Sequence, residues 1–149
     1  MEQLSTLMGT NDSGTTFSGF QAGMNSYVQG KGYTYSTTSV FSNGAFNFNN
    51  YKTAVENSKP VVLFLDGYSI AISVEEANGV DTVTSNVSGN THVAVGCGYR
   101  TDTYYNASNS VISTQHYLTV ASGLVTYGIC YLNMNAYGQI NQAIAVTIQ

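Results

Sequence analysis

The first part of the chain carries apolar residues at helical spacing. Large apolar side chains recur every three or four positions from Phe17 to Val28, which predicts an amphipathic helix. One of three hydroxyl side chains around residue 16 can cap its start, and Gly30 lies at its end. Shorter helices are predicted over residues 3–8 and 49–57, the second ending before a proline.

Two glycines lie on one face of the predicted 17–28 helix. Gly19 and Gly23 are four positions apart, about one helical turn. Each lowers the helix propensity by up to ~1 kcal/mol relative to alanine. Their missing side chains allow another element to pack closely against this face.

From Pro60 onward the pattern becomes that of β-structure. Residues 61–65 form a continuous apolar run, typical of a strand buried on both faces. Asp66-Gly67 then predicts a turn, after which residues 68–74 return as a neighbouring strand. Residues 75–90 are polar and are predicted to form a loop. Other strands are predicted over residues 33–37, 92–100, 113–121, 126–133 and 141–148, with a turn-rich connection over residues 102–109.

Helices that precede a run of antiparallel strands predict an α+β fold. The chain has 149 residues, 43% of them hydrophobic, which suffices for one core. Residues 1–149 are therefore expected to form a single domain. Its helical part covers about residues 1–58 and its β part about residues 60–149.

The composition narrows the classes of partner. Charged residues make up only 8% of the chain, so hydroxyl, amide and tyrosine side chains must cover the surface, which favours an extracellular or cell-surface location. The net charge is −4 and the four basic residues are scattered, which argues against nucleic acid as a partner. No apolar run approaches the ~20 residues of a membrane span. Residues 1–6 do not have the pattern of a signal peptide.

The cysteines and histidines form no metal motif. Cys97 and Cys130 lack metal-ligand spacing and are interpreted as two buried apolar thiols. A disulfide is disfavoured because a β-meander would put them on non-adjacent strands. His92 and His116 have no cysteine or carboxylate at a useful spacing, so neither a metal nor another cofactor is predicted.

His92 is the histidine best placed for chemistry, because it opens the predicted 92–100 strand. Alternation along a strand puts it on one face with Ala94 and Gly96, and Cys97 on the other. Five positions of strand separate His92 from Cys97 by roughly 16 Å, so Cys97 cannot be its nucleophile. Asp66 is interpreted as a solvated turn acid, with a site carboxylate as the alternative.

Three short motifs follow one another in the second half of the chain. They are Lys59-Pro60-Val61-Val62-Leu63, then His92-Val93-Ala94-Val95-Gly96-Cys97-Gly98-Tyr99, then Tyr117-Leu118-Thr119-Val120-Ala121-Ser122-Gly123. Their order and spacing resemble the later part of papain-fold cysteine peptidases, in particular the bacteriocin-processing-like (double-glycine-peptidase-like) group. The resemblance covers about residues 4–149.

The resemblance implies a papain-like half-fold and a peptide or protein as substrate or partner. It puts His92 at the position of the general base and Ser122 at that of the Asn or Asp that orients the histidine. A serine hydroxyl supplies no negative charge to stabilise an imidazolium. The family's nucleophilic cysteine begins a helix upstream of the matched part, and neither Cys97 nor Cys130 matches its position. A peptidase-like domain without a nucleophile, inactive by itself, is therefore expected.

Three interpretations follow from this pattern. The chain is a truncated or processed piece of a cysteine peptidase, a non-catalytic secreted or surface module on the same fold, or an unrelated α+β binding domain. Under the first two interpretations, the family's central helix does not pack against the sheet. Apolar surface beside His92 is then expected to be exposed and to favour a homodimer or a protein partner.

Overall fold

The computed structural model describes residues 2–72, 74–77, 80–83, 86–124, 127–134 and 139–149. The predicted helices are confirmed with small shifts of their ends. The side chain of Thr16 accepts a hydrogen bond from the Gly19 N–H, and that of Asn47 accepts one from the Asn50 N–H, so each longer helix has an N-cap. The helices are α1 (Glu2–Leu7), α2 (Phe17–Gly30) and α3 (Phe48–Glu56).

Most strands belong to one six-stranded sheet in which all neighbours are antiparallel. The described residues therefore form an α+β fold with a mostly antiparallel sheet, as the order of patterns predicts. The strands are β1 (Tyr35–Ser39), β2 (Phe41–Ser42), β3 (Ala45–Phe46), β4 (Val61–Ala71), β5 (Val74–Ala77), β6 (Val80–Val83), β7 (Asn86–Tyr105), β8 (Val111–Leu124), β9 (Tyr127–Asn133) and β10 (Gln139–Ile148).

The sheet has the order β1-β10-β4-β7-β8-β9, and two small hairpins, β2–β3 and β5–β6, lie outside it. The end of β4 also reaches β9, where Ala71 lies opposite Tyr131. β4, β7, β8 and β9 therefore close on one another around a common core. This core contains the fully buried Leu63, Leu118 and Leu132.

The two longer helices cover opposite faces of the sheet. Tyr51 of α3 packs into the main core with Leu63, whereas Phe17 and Phe20 of α2 pack against Phe64. Because successive side chains of a strand point to opposite faces, neighbours such as residues 63 and 64 serve different helices. This alternation explains why residues 61–65 read as a continuous apolar run.

Gly19 and Gly23 of α2 pack against the segment that precedes the helix. A Cβ on Gly23 would lie 2.7 Å from the backbone nitrogen of Met8, and one on Gly19 would overlap the Met8 carbonyl oxygen. Met8 directly follows α1. The close packing predicted at this glycine face is therefore confirmed.

The turn predicted at Asp66-Gly67 is wrong. β4 runs through both residues and pairs with β7 on either side of them, Leu65 opposite His92 and Tyr68 opposite Gly89. Gly67 has φ of +66°, a left-handed backbone conformation that glycine adopts without strain. One long strand therefore replaces the predicted hairpin.

The loop predicted over residues 75–90 is also wrong for the residues that the structure describes. β5 and β6 pair as a hairpin there, and β7 begins at residue 86. Residues 73, 78, 79, 84, 85, 125 and 126, on which parts of these predictions fall, lie outside the described residues. Strand pairing is made by backbone hydrogen bonds, so a polar sequence does not by itself exclude strands.

β7 and β8 extend past the rest of the sheet as a two-stranded arm. Their paired residues reach Tyr105 opposite Val111, whereas the last pair between β8 and β9 is Tyr117 with Asn133. The predicted connection over residues 102–109 is accordingly shorter and begins at Asn106. The Asn106 side chain accepts two backbone hydrogen bonds within this turn.

The middle of β7 is not buried on both sides, and Cys97 is not a buried thiol. Ala94 is 1% exposed, but Val93 and Val95 on the other face are 39% and 36% exposed. Burial alternates along residues 92–100 as predicted, and Cys97 lies on the exposed face with Val93 and Val95. The register with β8 shifts between Gly96 and Gly98, which marks a bulge at Cys97. Cys97 is exposed, which corrects the prediction.

The expectation of free thiols is confirmed. Cys97 and Cys130 are both unpaired, and Cys130 is buried as predicted. β8 lies between the strands that carry them, so the sheet separates the two sulfur atoms.

Candidate functional site

His92 lies where β7 pairs with β4, directly opposite Leu65. Its imidazole is half-buried and its ring centroid lies 5.1 Å from that of the buried Tyr68. The Nε2 atom lies 2.5 Å from the main-chain oxygen of Ser122. A carbonyl oxygen can only accept, so Nε2 must carry the hydrogen. In the neutral ring, Nδ1 then keeps its lone pair and can accept a proton.

Ser122 contacts His92 through its main chain. The residue is fully buried near the end of β8, and Gly123, with φ of +70°, follows it. The Ser122 hydroxyl oxygen accepts a hydrogen bond from the Leu124 N–H at 3.2 Å. The structure thus brings together the two residues that the resemblance singles out, and a carbonyl oxygen fixes the ring.

A cleft of about 350 Å³ opens beside His92. Three neighbouring strands form one wall: Asn141 comes from β10, Asp66 from β4 and Thr91 from β7. The register of β10 shifts between residues 140 and 142, so Asn141 stands at an irregularity of the strand. Residues 13–15, in the loop before α2, form the opposite wall.

Asp66 is a wall residue of the cleft and does not lie in a turn. It is exposed and pairs across the sheet with Thr91, so its side chain projects to the face of Phe64 and α2, whereas the His92 ring projects to the other face with Leu65 and Tyr68. Within the described part of the chain, its carboxylate makes no hydrogen bond and no ion pair. The predicted turn is therefore wrong and the predicted solvent exposure is confirmed, while the alternative, a site carboxylate, stays a prediction.

Neither cysteine can serve His92 as a nucleophile. Cys97 lies five positions along the same strand, roughly 16 Å away. Cys130 is buried opposite Val120, and Val120 pairs with Gly96. Gly96 is four positions from His92, so Cys130 is displaced from His92 by roughly 13 Å along the strand direction. A nucleophile and its base must be within about 3.2 Å. The described residues therefore provide a base without a thiol.

His116 belongs to an aromatic group at the other end of β7. Its ring stacks on Phe48 at 4.4 Å, and its Nδ1 lies 3.1 Å from the Thr101 hydroxyl. The Lys52 ammonium lies 5.8 Å from the Phe48 ring centroid and 5.4 Å from that of Tyr99. The described residues contain no group of three or more His, Cys, Asp and Glu that could hold a metal.

Two tyrosines of this region have raised pKa values. The Tyr51 hydroxyl donates to the Gly98 carbonyl oxygen at 2.8 Å, and burial raises its pKa, with a smaller contribution from Cys97. The Tyr99 hydroxyl donates to Glu56 at 2.5 Å, and this hydrogen bond is the main cause of its raised pKa.

The sequence gives no signal for several residues around His92. Tyr68, Asn141 and the loop of residues 13–15 reach the site only through the sheet order and the packing of α2. A second cavity of about 270 Å³ lies between β1 and α3. It is lined by Lys59 and polar or small residues, without histidine, cysteine or carboxylate, so we consider the His92 cleft the candidate site.

Comparison of the chain with protein-family models, with curated proteins and with solved structures finds no match. In the part of the chain that the structure describes, no helix is both long enough and apolar enough to cross a bilayer.

Proposed function

We propose that this chain is a cysteine-peptidase-like domain on a papain-like half-fold, which binds peptides beside His92 and does not hydrolyse them unaided. The observation that carries the proposal is the contact between His92 Nε2 and the Ser122 carbonyl oxygen. In the neutral ring this contact leaves Nδ1 without a hydrogen, so that Nδ1 can accept a proton as a general base does.

The orientation of His92 is suited to accepting a proton from a neighbouring group. In a triad, the residue behind the histidine fixes its tautomer and, if it is a carboxylate, stabilises the imidazolium. The Ser122 carbonyl oxygen supplies the first function and only part of the second, since it has no net charge. Once a further segment or a partner brings a thiol to Nδ1, His92 can accept its proton.

The experiment is a peptidase assay with fluorogenic peptides, combined with a thiol-reactive peptidase probe. We expect no turnover above buffer, and the same result for His92→Ala. Probe labelling should disappear in the Cys97→Ala/Cys130→Ala double variant, since no other thiol is present. Turnover that depends on His92 would contradict the proposed lack of activity.

A second candidate function, that of a secreted or surface binding module, is favoured by an open apolar face. Val95, Ala121 and Ile129 lie in one row across β7, β8 and β9, and Ile129 is 55% exposed. Val93 extends this row towards His92. The expected exposure of apolar surface is therefore observed, and we propose that a second copy covers it.

Sedimentation of the wild type and of Ile129→Lys tests this second candidate. A charge in the centre of an apolar interface should abolish a dimer. The matched control is Ile148→Lys, at an exposed position of β10, which three strands separate from β9 in the sheet. A wild type that stays monomeric at all concentrations would exclude the dimer.

A further inference from the structure

Asp66 brings a negative charge to the wall of the cleft. The carboxylate is exposed and, among the described residues, has no hydrogen-bonding or ionic partner. The chain elsewhere pairs an acid with a base where one is near, as Arg100 Nε does with Asp102 at 2.7 Å. An uncompensated carboxylate in a concave site attracts a cation more strongly than one on an open surface.

No basic side chain of the described residues compensates this charge. The described residues that line the cleft include no lysine or arginine. Lys31 lies over the Tyr27 ring and Lys52 over Phe48 and Tyr99. Lys59 precedes β4, seven positions from Asp66, and lines other cavities. A positive charge beside Asp66 would therefore have to come from outside the described side chains.

The backbone holds Asp66 in place. β4 is paired on both sides at this point, with Gln139 of β10 and with Thr91 of β7. A carboxylate on a central strand is positioned more rigidly than one on a loop, which lowers the entropic cost of an ion pair. Around it, the hydroxyls of Thr15 and Thr91 and the amide of Asn141 provide neutral hydrogen-bonding groups for a peptide main chain.

We infer that the cleft selects peptides that carry an ammonium or guanidinium group, and that Asp66 is the residue that determines this specificity. The inference rests on the proposed function, since it assumes that the cleft binds peptide. The cation can be a basic side chain or the α-ammonium of a peptide. Both present the same chemistry to Asp66.

The test is the equilibrium binding of fluorescent peptides to the 149-residue chain. An acetylated, amidated pentapeptide with a central lysine among glycines is compared with its norleucine and glutamate counterparts. A fourth peptide, with norleucine and a free α-amino group, distinguishes the two sources of the cation. We expect the lysine peptide to bind about three- to tenfold tighter than the norleucine peptide at low salt, and the glutamate peptide to bind weakest.

Variants locate the preference at Asp66. Asp66→Asn should remove it and Asp66→Glu should keep most of it. Asp12→Asn is the matched control, because it removes the same charge from an exposed residue of the nearby turn that does not line the cleft. Circular dichroism of each variant verifies the fold.

The outcomes separate the two proposals. Equal binding of lysine and norleucine peptides, or a lysine preference that survives Asp66→Asn, overturns the inference and leaves peptide binding in place. Failure of all peptides to bind at millimolar concentration overturns both. A lysine preference that depends on Asp66 supports the inference even when peptidase assays contradict the proposed lack of activity.

Discussion

His92 and Ser122 illustrate what can be predicted at the scale of single residues. The pattern of the 92–100 segment identifies His92 as a strand residue, and the resemblance pairs it with Ser122. The atom that makes the contact could not be predicted, because every residue has a carbonyl oxygen and the sequence does not indicate which one points at the ring. The bulge at Cys97 could not be predicted either, because it depends on how β7 pairs with β8.

Gly96 is the residue whose size most directly controls the packing of α3. A Cβ at this position would lie 2.5 Å from the Tyr51 hydroxyl oxygen and 2.6 Å from a ring carbon. Tyr51 is fully buried and cannot move without disturbing the core. We expect Gly96→Ala to lower the free energy of unfolding by about 2 kcal/mol or more, measured by urea denaturation.

The control for Gly96→Ala is Gly128→Ala, also in a strand. A Cβ there meets nothing within 4 Å. Its effect on stability should be small. Equal stabilities of the two variants would show that Tyr51 does not pack against Gly96 as described.

At the scale of elements, helices are easier to predict than strands in this chain. Helical periodicity and caps are local, and the predicted helix from Phe17 to Val28 lies within α2. The ends of strands depend on partners distant in sequence. β4 continues past Asp66-Gly67 because β7 and β9 pair with its second half, which no local pattern reveals.

The N-cap of α2 gives a prediction at this scale. The Thr16 hydroxyl oxygen accepts the Gly19 N–H at 3.0 Å. Thr16→Ala should therefore cost about 1 kcal/mol of unfolding free energy, whereas Thr16→Ser keeps the oxygen and should cost little. Thermal unfolding followed by circular dichroism compares the three proteins. A serine variant as unstable as the alanine variant would contradict the capping role.

For the whole molecule, the fold class follows from the order of patterns, but the cleft does not. Residues from the loop before α2 and from β4, β7 and β10 meet there, and these segments lie far apart in the chain. The amino-acid composition does not indicate which distant segments come together to line a cleft. The turn predicted at Asp66 is wrong because that prediction used only the residue's nearest neighbours in sequence.

Alkaline pH should destabilise the whole molecule through the tyrosines whose pKa is raised in the folded state. The pKa of Tyr51 is raised from its ordinary value of 10.0 because burial disfavours the phenolate, and those of Tyr35 and Tyr99 are raised too. The unfolded chain then loses protons before the folded chain. Stability from these groups is complete below about pH 10 and is lost as the pH rises through the folded pKa values.

Urea denaturation between pH 8 and about pH 11 measures this loss. Tyr51→Phe should give a shallower decline than the wild type, because one raised pKa is removed. Tyr33→Phe, at a tyrosine that is 57% exposed, is the matched control for the loss of a phenol. A Tyr51→Phe profile parallel to that of the wild type would contradict the assigned burial of this hydroxyl.

The most direct test of the central claim is the nuclear magnetic resonance of the His92 ring nitrogens, assigned with His92→Gln. In the neutral form of the ring, we predict hydrogen on Nε2 and none on Nδ1. Ser122→Ala should leave this pattern intact, since the main-chain oxygen remains. A ring with its hydrogen on Nδ1, or one that exchanges freely between both forms, would contradict the proposal that the Ser122 carbonyl oxygen prepares His92 as a base.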